Sequence, residues 1–151
     1  METIINFMPE KDPELICKQV KYFIDKGGEI FLGFSEGRLA HIARLCHYPG
    51  VIEKNSLEIH PPVKIKEDEV YIGLCQTSGE FRGKNIYPCV LQYLVKYTLS
   101  GNIKRCFGST SPSNTASIRG IHKAGFKLVS TKWKFSVFGK LFNRTWSSSD
   151  V

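Results

Sequence analysis

Three segments of the chain carry apolar residues at the spacing of an amphipathic helix. The first begins at Asp12, a suitable N-cap that is followed by Pro13, and it ends at a pair of glycines. Each of the other two also stops at a single glycine, which is the usual residue just past a helix end. The pattern therefore predicts helices over 12–26, 86–100 and 114–124.

Runs rich in β-branched and aromatic residues predict strands at 29–34, 38–47, 70–77, 105–109, 126–137 and 140–146. The first two are joined by Ser35-Glu36-Gly37, which suits a hairpin turn. Segment 48–67 carries three prolines and should be irregular, with one short strand at 56–59. A strand-helix-strand unit over 70–109 should cross right-handed with its strands parallel. This order predicts an α/β sheet with helices on both faces.

A chain of 151 residues is expected to form a single domain, 1–151. No apolar run is long enough to span a bilayer and no signal peptide is recognised, so we expect a cytoplasmic protein. The five cysteines are scattered, without a Cys-x-x-Cys pair and without ligand spacing to the four histidines. They predict buried, reduced thiols, with neither a metal site nor disulfides.

The formal net charge is +7, and the basic residues concentrate in the half of the chain after Glu80. Such a balance favours a polyanionic partner, which could be a nucleic acid, a phospholipid surface or a phosphate-rich cofactor. The segment 132–146 interleaves basic and aromatic residues, which suits a membrane surface or a single-stranded nucleic acid. Its alternation at period two favours a final hairpin with the aromatic residues inward.

The segment 80–86, Glu-Phe-Arg-Gly-Lys-Asn-Ile, lies between a predicted strand and a predicted helix. A basic turn that leads into a helix N-terminus can hold an anion, because unpaired backbone N–H groups and the helix dipole converge there. Alone, such a turn is more often a plain connection. A second motif follows about thirty residues later, formed by Asn114, Ser117 and Lys123-Ala124-Gly125-Phe126.

These two motifs, in this order and on these elements, resemble the GNAT superfamily of acyl-CoA-dependent N-acyltransferases. The turn resembles that family's pyrophosphate turn, and the resemblance covers about 69–129. It implies a mixed central sheet of about six to seven strands flanked by helices on both faces. It also implies acetyl-CoA as the cosubstrate, without a metal, and an amine that attacks the thioester directly in a ternary complex.

The resemblance also implies which residues bind the cofactor. The backbone amides of the turn would wrap the pyrophosphate, and the strand edge would bond the pantetheine amides. Two residues of the following helix would contact the cofactor arm, and a backbone N–H near Gln76 would polarise the acyl carbonyl. The implied cofactor-binding residues are Cys75, Gln76, Thr77, Arg82, Gly83, Lys84, Asn85, Ile86, Asn114 and Ser117.

The chain departs from the family pattern where catalytic groups are expected. The last small residue of the turn is Asn85, which tolerates unusual backbone angles. The family's tyrosine acid corresponds to Ile121, and the region of its glutamate base corresponds to Gly73-Leu74. The remaining candidates are Tyr71, His41 and His122, and ordered water could replace a side-chain base.

The sequence therefore predicts an N-acetyltransferase that acts on a primary amine of a small molecule or an amino sugar, as a monomer or a homodimer. Two alternatives stay open. One is a GNAT-like module that binds or senses CoA without catalysis, because the usual acid and base are missing. The other is a nucleic-acid-binding protein that uses the net positive charge, although no RNA-binding aromatic motif supports it.

Overall fold

The computed structural model describes residues 1–8, 11–47, 65–99, 101–137 and 140–147, and from residue 131 onward it describes the backbone alone. The helices are α1 (Glu2–Phe7), α2 (Pro13–Asp25), α3 (Ile86–Leu99) and α4 (Thr115–Lys123). The strands are β1 (Glu29–Ser35), β2 (Arg38–His47), β3 (Glu69–Thr77), β4 (Arg105–Phe107), β5 (Ser130–Val137) and β6 (Lys140–Ser147). Among these helices, none has the length and apolarity required to cross a bilayer.

The predicted helices and hairpin are confirmed to within a residue or two. Asp12 caps α2 through its carboxylate, which accepts a hydrogen bond from the Glu14 N–H at 3.0 Å. Asn114 caps α4 in the same way. Strands β4 and β5 are shorter than predicted, and α1 was not predicted at all. Most of the predicted irregular segment, including the strand at 56–59, lies outside the described residues.

The sheet has the order β1-β2-β3-β4, in which β1 pairs antiparallel with β2, β2 pairs antiparallel with β3, and β3 pairs parallel with β4. The predicted parallel pair is therefore confirmed. The expectation of six to seven strands in one sheet is wrong for the described residues, because β5 and β6 form a separate two-stranded antiparallel sheet. Strand β4 has only three residues, so it offers little edge on which a further strand could pair.

Helices cover both faces of the four-stranded sheet, as predicted. On one face, Ala43, Leu45, Val70 and Ile72 are buried together with Leu91 and Leu94 of α3. On the opposite face, Ile42 of β2 and Leu74 of β3 are buried against α1 and α2 through Ile4, Ile16 and Val20. Alternation along each strand assigns its residues to these two cores.

A bulge interrupts this alternation near the end of β3. The pairing of β2 with β3 slips by one residue between Ile42 and Arg44, and Leu74 has a φ of +42°. As a result Leu74 faces α1 and α2, whereas the next residue, Cys75, packs with the core beneath α3. A positive φ is costly for leucine, and such bulges recur next to active sites, where they redirect a strand.

All five cysteines lie within the described residues, and none of them forms a disulfide. The prediction that they are buried is wrong. Cys89 is exposed and the other four are only half-buried.

Candidate active site

A cavity of about 270 Å³ opens where β3 and β4 part. The two strands pair only from Glu69–Arg105 to Tyr71–Phe107, after which β4 ends while β3 continues to Thr77. The cavity occupies the place that a longer β4 would fill. Its walls come from β3, the loop after β4, and the facing sides of α3 and α4, and its lining residues are Tyr71, Ile72, Gly73, Cys75, Tyr87, Leu91, Gly108, Ser109, Thr110, Ser111, Asn114, Ser117, Ile121 and Phe126.

Two features of the chain create this divergence. A Cβ on Gly108 would lie 2.8 Å from the backbone oxygen of Ile72, so only glycine allows the chain to leave the sheet so close to β3. One residue later, the Ser109 Oγ lies 2.9 Å from the Tyr71 hydroxyl oxygen. This hydrogen bond connects β3 to the departing loop, and both of its residues line the cavity.

The turn that was predicted to hold an anion has the required backbone shape. Gly83 and Asn85 both adopt left-handed angles, with φ of +78° and +58°. Glycine takes this conformation without cost, and asparagine tolerates it better than most residues. Helix α3 begins directly afterwards at Ile86, so the N–H groups of its first turn point towards the same place.

Positive charge collects around this turn. The Lys123 ammonium donates a hydrogen bond to the Asn85 Oδ1 at 3.0 Å, which brings the end of α4 against the start of α3. The Arg82 guanidinium donates to the backbone oxygen of Thr77 at 3.3 Å. Glu80, the acid of this segment, pairs with Arg38 at 2.6 Å, so its charge is compensated. The turn therefore presents a net positive surface to an anion.

Helix α4 contributes polar groups to the cavity from its first turn. The Asn114 Oδ1 accepts a hydrogen bond from the Ser117 N–H at 3.0 Å, and both residues line the cavity. Asn114 is therefore an N-cap and a wall residue at once. The Ser117 Oγ lies 3.2 Å from the hydroxyl oxygen of Tyr87, the second residue of α3.

The chain resembles known proteins in its structure but not in its sequence. No family model matches the sequence, and no curated protein sequence matches it significantly. A GNAT-family acetyltransferase from Colwellia psychrerythraea aligns at a TM-score of 0.62 with 18% identity, over 83% of this chain and 42% of that one. A ribosomal-protein-alanine N-acetyltransferase from Brucella melitensis aligns at 0.60 with 15% identity, over 91% and 80%.

The aminoglycoside acetyltransferase AAC(6')-Ib, in complex with coenzyme A and kanamycin, aligns at a TM-score of 0.57 with 14% identity, over 84% of this chain and 70% of that one. This chain has the GNAT fold. It spans less than half of the Colwellia protein, so the likeness there concerns one part of a longer chain.

Within the GNAT fold, the implied cofactor residues fall into two groups. Cys75, Asn114 and Ser117 line the cavity. The others are not among the lining residues and lie either at the end of β3 or in the turn before α3, namely Gln76, Thr77, Arg82, Gly83, Lys84, Asn85 and Ile86. The turn is joined to the cavity through Tyr87, which follows Ile86 and lines the cavity.

The three catalytic candidates are not brought together. Tyr71 is buried and lines the cavity, and this burial raises the pKa of its hydroxyl. His122 is exposed on α4 and His41 is fully buried on β2, and neither lines the cavity. Burial lowers the pKa of His41 to about 4, so its ring is neutral at pH 7.

Tyr87 is one of the cavity residues that sequence reasoning missed. Its ring stacks on the ring of His41, with centroids 5.8 Å apart, and burial raises the pKa of its hydroxyl to about 12. A Cβ at Gly120 of α4 would lie 2.5 Å from the Cδ1 atom of the Tyr87 ring. A glycine inside a predicted helix was the one sequence signal that something large packs there.

Proposed function

We propose that this chain is an acyl-CoA-dependent N-acyltransferase that transfers acetyl from acetyl-CoA to a primary amine of a small molecule or an amino sugar. The observation that carries the proposal is the cavity between diverging parallel strands. A basic, left-handed turn and the N-terminus of α3 directly precede Tyr87, which lines this cavity. The fold likeness to acetyltransferases supports the same activity.

The turn and the cavity suit the two ends of a CoA thioester. The diphosphate needs several N–H donors and positive charge, which the amides after Gly83 and the ammonium of Lys123 supply. The pantetheine arm is a chain of two amides, and the end of β3 can bond these in the manner of an added strand. Asn114 and Ser117 add polar contacts from the opposite wall.

The proposed chemistry depends chiefly on positioning. The thioester carbonyl would accept a hydrogen bond from a backbone N–H of β3 near Gln76, just after the bulge at Leu74. An amine held on the other side of the gap then attacks the carbonyl carbon directly. Fixing the two reactants in one cleft removes much of the entropic part of the barrier.

The acceptor class is suggested by the neighbours. AAC(6')-Ib is described with kanamycin, an aminoglycoside, and with coenzyme A. A small amine bearing sugar-like hydroxyls fits the sequence-based expectation of a small molecule or an amino sugar as the acceptor. We therefore propose kanamycin and simpler amino sugars as the first acceptors to assay.

A second candidate function is a CoA-binding module without catalysis. The observation in its favour is that the cavity lining, within the described residues, contains no histidine, aspartate, glutamate or lysine. Turnover separates the two functions. An enzyme releases the CoA thiol from acetyl-CoA only when an amine is added, whereas a binding module releases none under either condition.

Binding is tested with the substitution Gly83→Glu. A carboxylate in the middle of the turn repels the diphosphate, and we expect calorimetry to detect no acetyl-CoA binding. The matched control is Gly27→Glu at the end of α2, because Gly27 has almost the same φ, +77°, and both positions have open space around an added Cβ. Equal affinity of the two variants for acetyl-CoA would overturn the proposed function.

A further inference from the structure

The proposed transfer leaves a thiolate that has to be stabilised and protonated. Position 121, where the resemblance implies a tyrosine, holds isoleucine. In the part of the cavity that the structure describes, the side chains able to donate a proton to sulfur are Tyr71, Tyr87, Cys75 and several hydroxyls of serine and threonine. Only the phenols and the thiol among these are acids of useful strength.

The two phenols lie on opposite faces of the sheet. Tyr71 packs with Ile65 and Phe107, on the face away from α3. Tyr87 belongs to α3 itself and packs with the core beneath that helix. Because the proposed diphosphate turn leads directly into α3, an arm that runs from this turn into the cavity passes along the α3 face, where Tyr87 is the phenol.

Tyr87 is also held in one orientation. Its ring stacks on His41 of β2, which is fixed in turn by a 2.8 Å hydrogen bond between its Nδ1 and the Thr77 Oγ1. The edge of the Tyr87 ring formed by Cδ1 and Cε1 lies against Gly120, where an added Cβ would clash. The hydroxyl oxygen lies 3.2 Å from the Ser117 Oγ, and either oxygen can be the donor of this hydrogen bond. A phenol held in this way keeps its hydroxyl at the wall of the cavity, as an effective donor requires.

The Tyr87 hydroxyl lies close to the part of the cavity that a long side chain at position 121 of α4 would reach. A helical side chain covers the turn N-terminal to its own Cα, so a residue at 121 projects towards 117. The Tyr87 hydroxyl lies beside Ser117, in the region that a long side chain from 121 would reach. The space next to Ile121 is therefore supplied with a hydroxyl from α3 instead of α4.

We propose, on the basis of the proposed function, that Tyr87 is the catalytic acid of this chain and that its hydroxyl donates the proton to the CoA sulfur, with Ser117 as its partner. The amine nitrogen forms a bond to the carbonyl carbon, and the carbon–sulfur bond breaks with its electron pair on sulfur. Tyr87 transfers its proton to that sulfur. The nitrogen releases its extra proton to water, and the phenolate regains a proton from water through Ser117.

The test measures the pKa of the thiol of bound CoA and needs no acceptor. CoA labelled at the carbon next to sulfur is bound to the protein, and the NMR shift of that carbon is followed against pH. A phenol that donates to the thiolate stabilises the charged form, so Tyr87→Phe should raise the pKa of the bound thiol by about one unit. The control Tyr93→Phe, on the same helix but exposed and outside the cavity lining, should leave it unchanged.

A second variant keeps the shape of the site. A fluorinated tyrosine at position 87 has a more acidic phenol, and we expect it to lower the pKa of the bound thiol. If CoA binds and neither variant moves that pKa, Tyr87 does not contact the sulfur and the inference is overturned. If the unsubstituted protein does not bind CoA, the proposed function itself fails. With an acceptor in hand, Tyr87→Phe should lower kcat about 100-fold or more.

Discussion

Because Tyr87 packs against Gly120, the effect of Gly120→Ala on the free energy of unfolding can be predicted. In an ordinary helix interior this change stabilises the protein by about 1 kcal/mol, because glycine is a poor helix former. Here the new Cβ would lie 2.5 Å from one ring carbon of Tyr87 and 2.8 Å from another. His41 stacks on one face of the ring and limits its movement in that direction. Overpacking of this kind costs about 1–3 kcal/mol.

The two effects oppose each other, so Gly120→Ala should lower the free energy of unfolding by up to about 2 kcal/mol. In a Tyr87→Ala background the clash is absent, and the same substitution should raise the free energy of unfolding by about 1 kcal/mol. The change of sign between the two backgrounds is the diagnostic result. It corresponds to a coupling energy of about 1–3 kcal/mol between the two positions.

Urea unfolding of the four proteins measures this cycle, with the m-value as a check that the extent of unfolding is unchanged. If Gly120→Ala stabilises both backgrounds equally, the ring of Tyr87 does not lie against α4. The orientation of its hydroxyl towards Ser117 would then lose its structural support. The result bears on packing alone, so it can be obtained without any knowledge of the substrate.

Three further predictions follow from charges and buried groups. Lys123→Gln should weaken CoA binding about fivefold at low salt and less at high salt. The control Lys127→Gln, at an exposed position, should leave the affinity unchanged. Calorimetry at two salt concentrations measures both variants, and an equal loss of affinity in the two would contradict the role of Lys123. Glu69→Gln should cost about 2 kcal/mol in urea unfolding, because a buried carboxylate that pairs with Arg105 is lost, and an unchanged midpoint would show that the pair contributes nothing. Because the pKa of His41 falls from 6.5 to about 4 on folding, the unfolded state binds more protons than the folded state between these two pH values, and the free energy of unfolding should decline as pH drops from about 6.5 to 4. In His41→Gln the dependence of this free energy on pH should become flatter, and an unchanged dependence would exclude His41 as its source.

Local chemistry was enough to predict most elements of the fold. Asp12 and Asn114 are caps, and Gly27 and Gly125 follow helix ends, so the bounds of α2 and α4 could be predicted closely. The parallel pairing of β3 and β4 followed from the helix between them. The left-handed shape of the turn predicted to hold an anion could also be anticipated, because Gly83 and the basic residues around it are adjacent in the sequence.

The misses are features that depend on distant parts of the chain. Helix α1 has only six residues, too few for a reliable periodic signal. The bulge at Leu74 depends on how β2 and β3 align, which no local pattern records. The width of the sheet was overestimated, because β4 ends after three residues where Gly108 leaves the sheet.

The sequence by itself determined the bounds of α2, α3 and α4 and of the hairpin formed by β1 and β2, and it predicted a turn suited to a diphosphate. It could do so because caps, glycines and apolar spacing act within a few residues. Only the tertiary structure decided what lines the cavity. Tyr87, His41 and Gly120 come from three different elements, and their contact depends on how α3 packs between β2 and α4. The catalytic role proposed for Tyr87 depends on that packing, since an acidic side chain can donate a proton to one defined atom only when its neighbours fix its orientation.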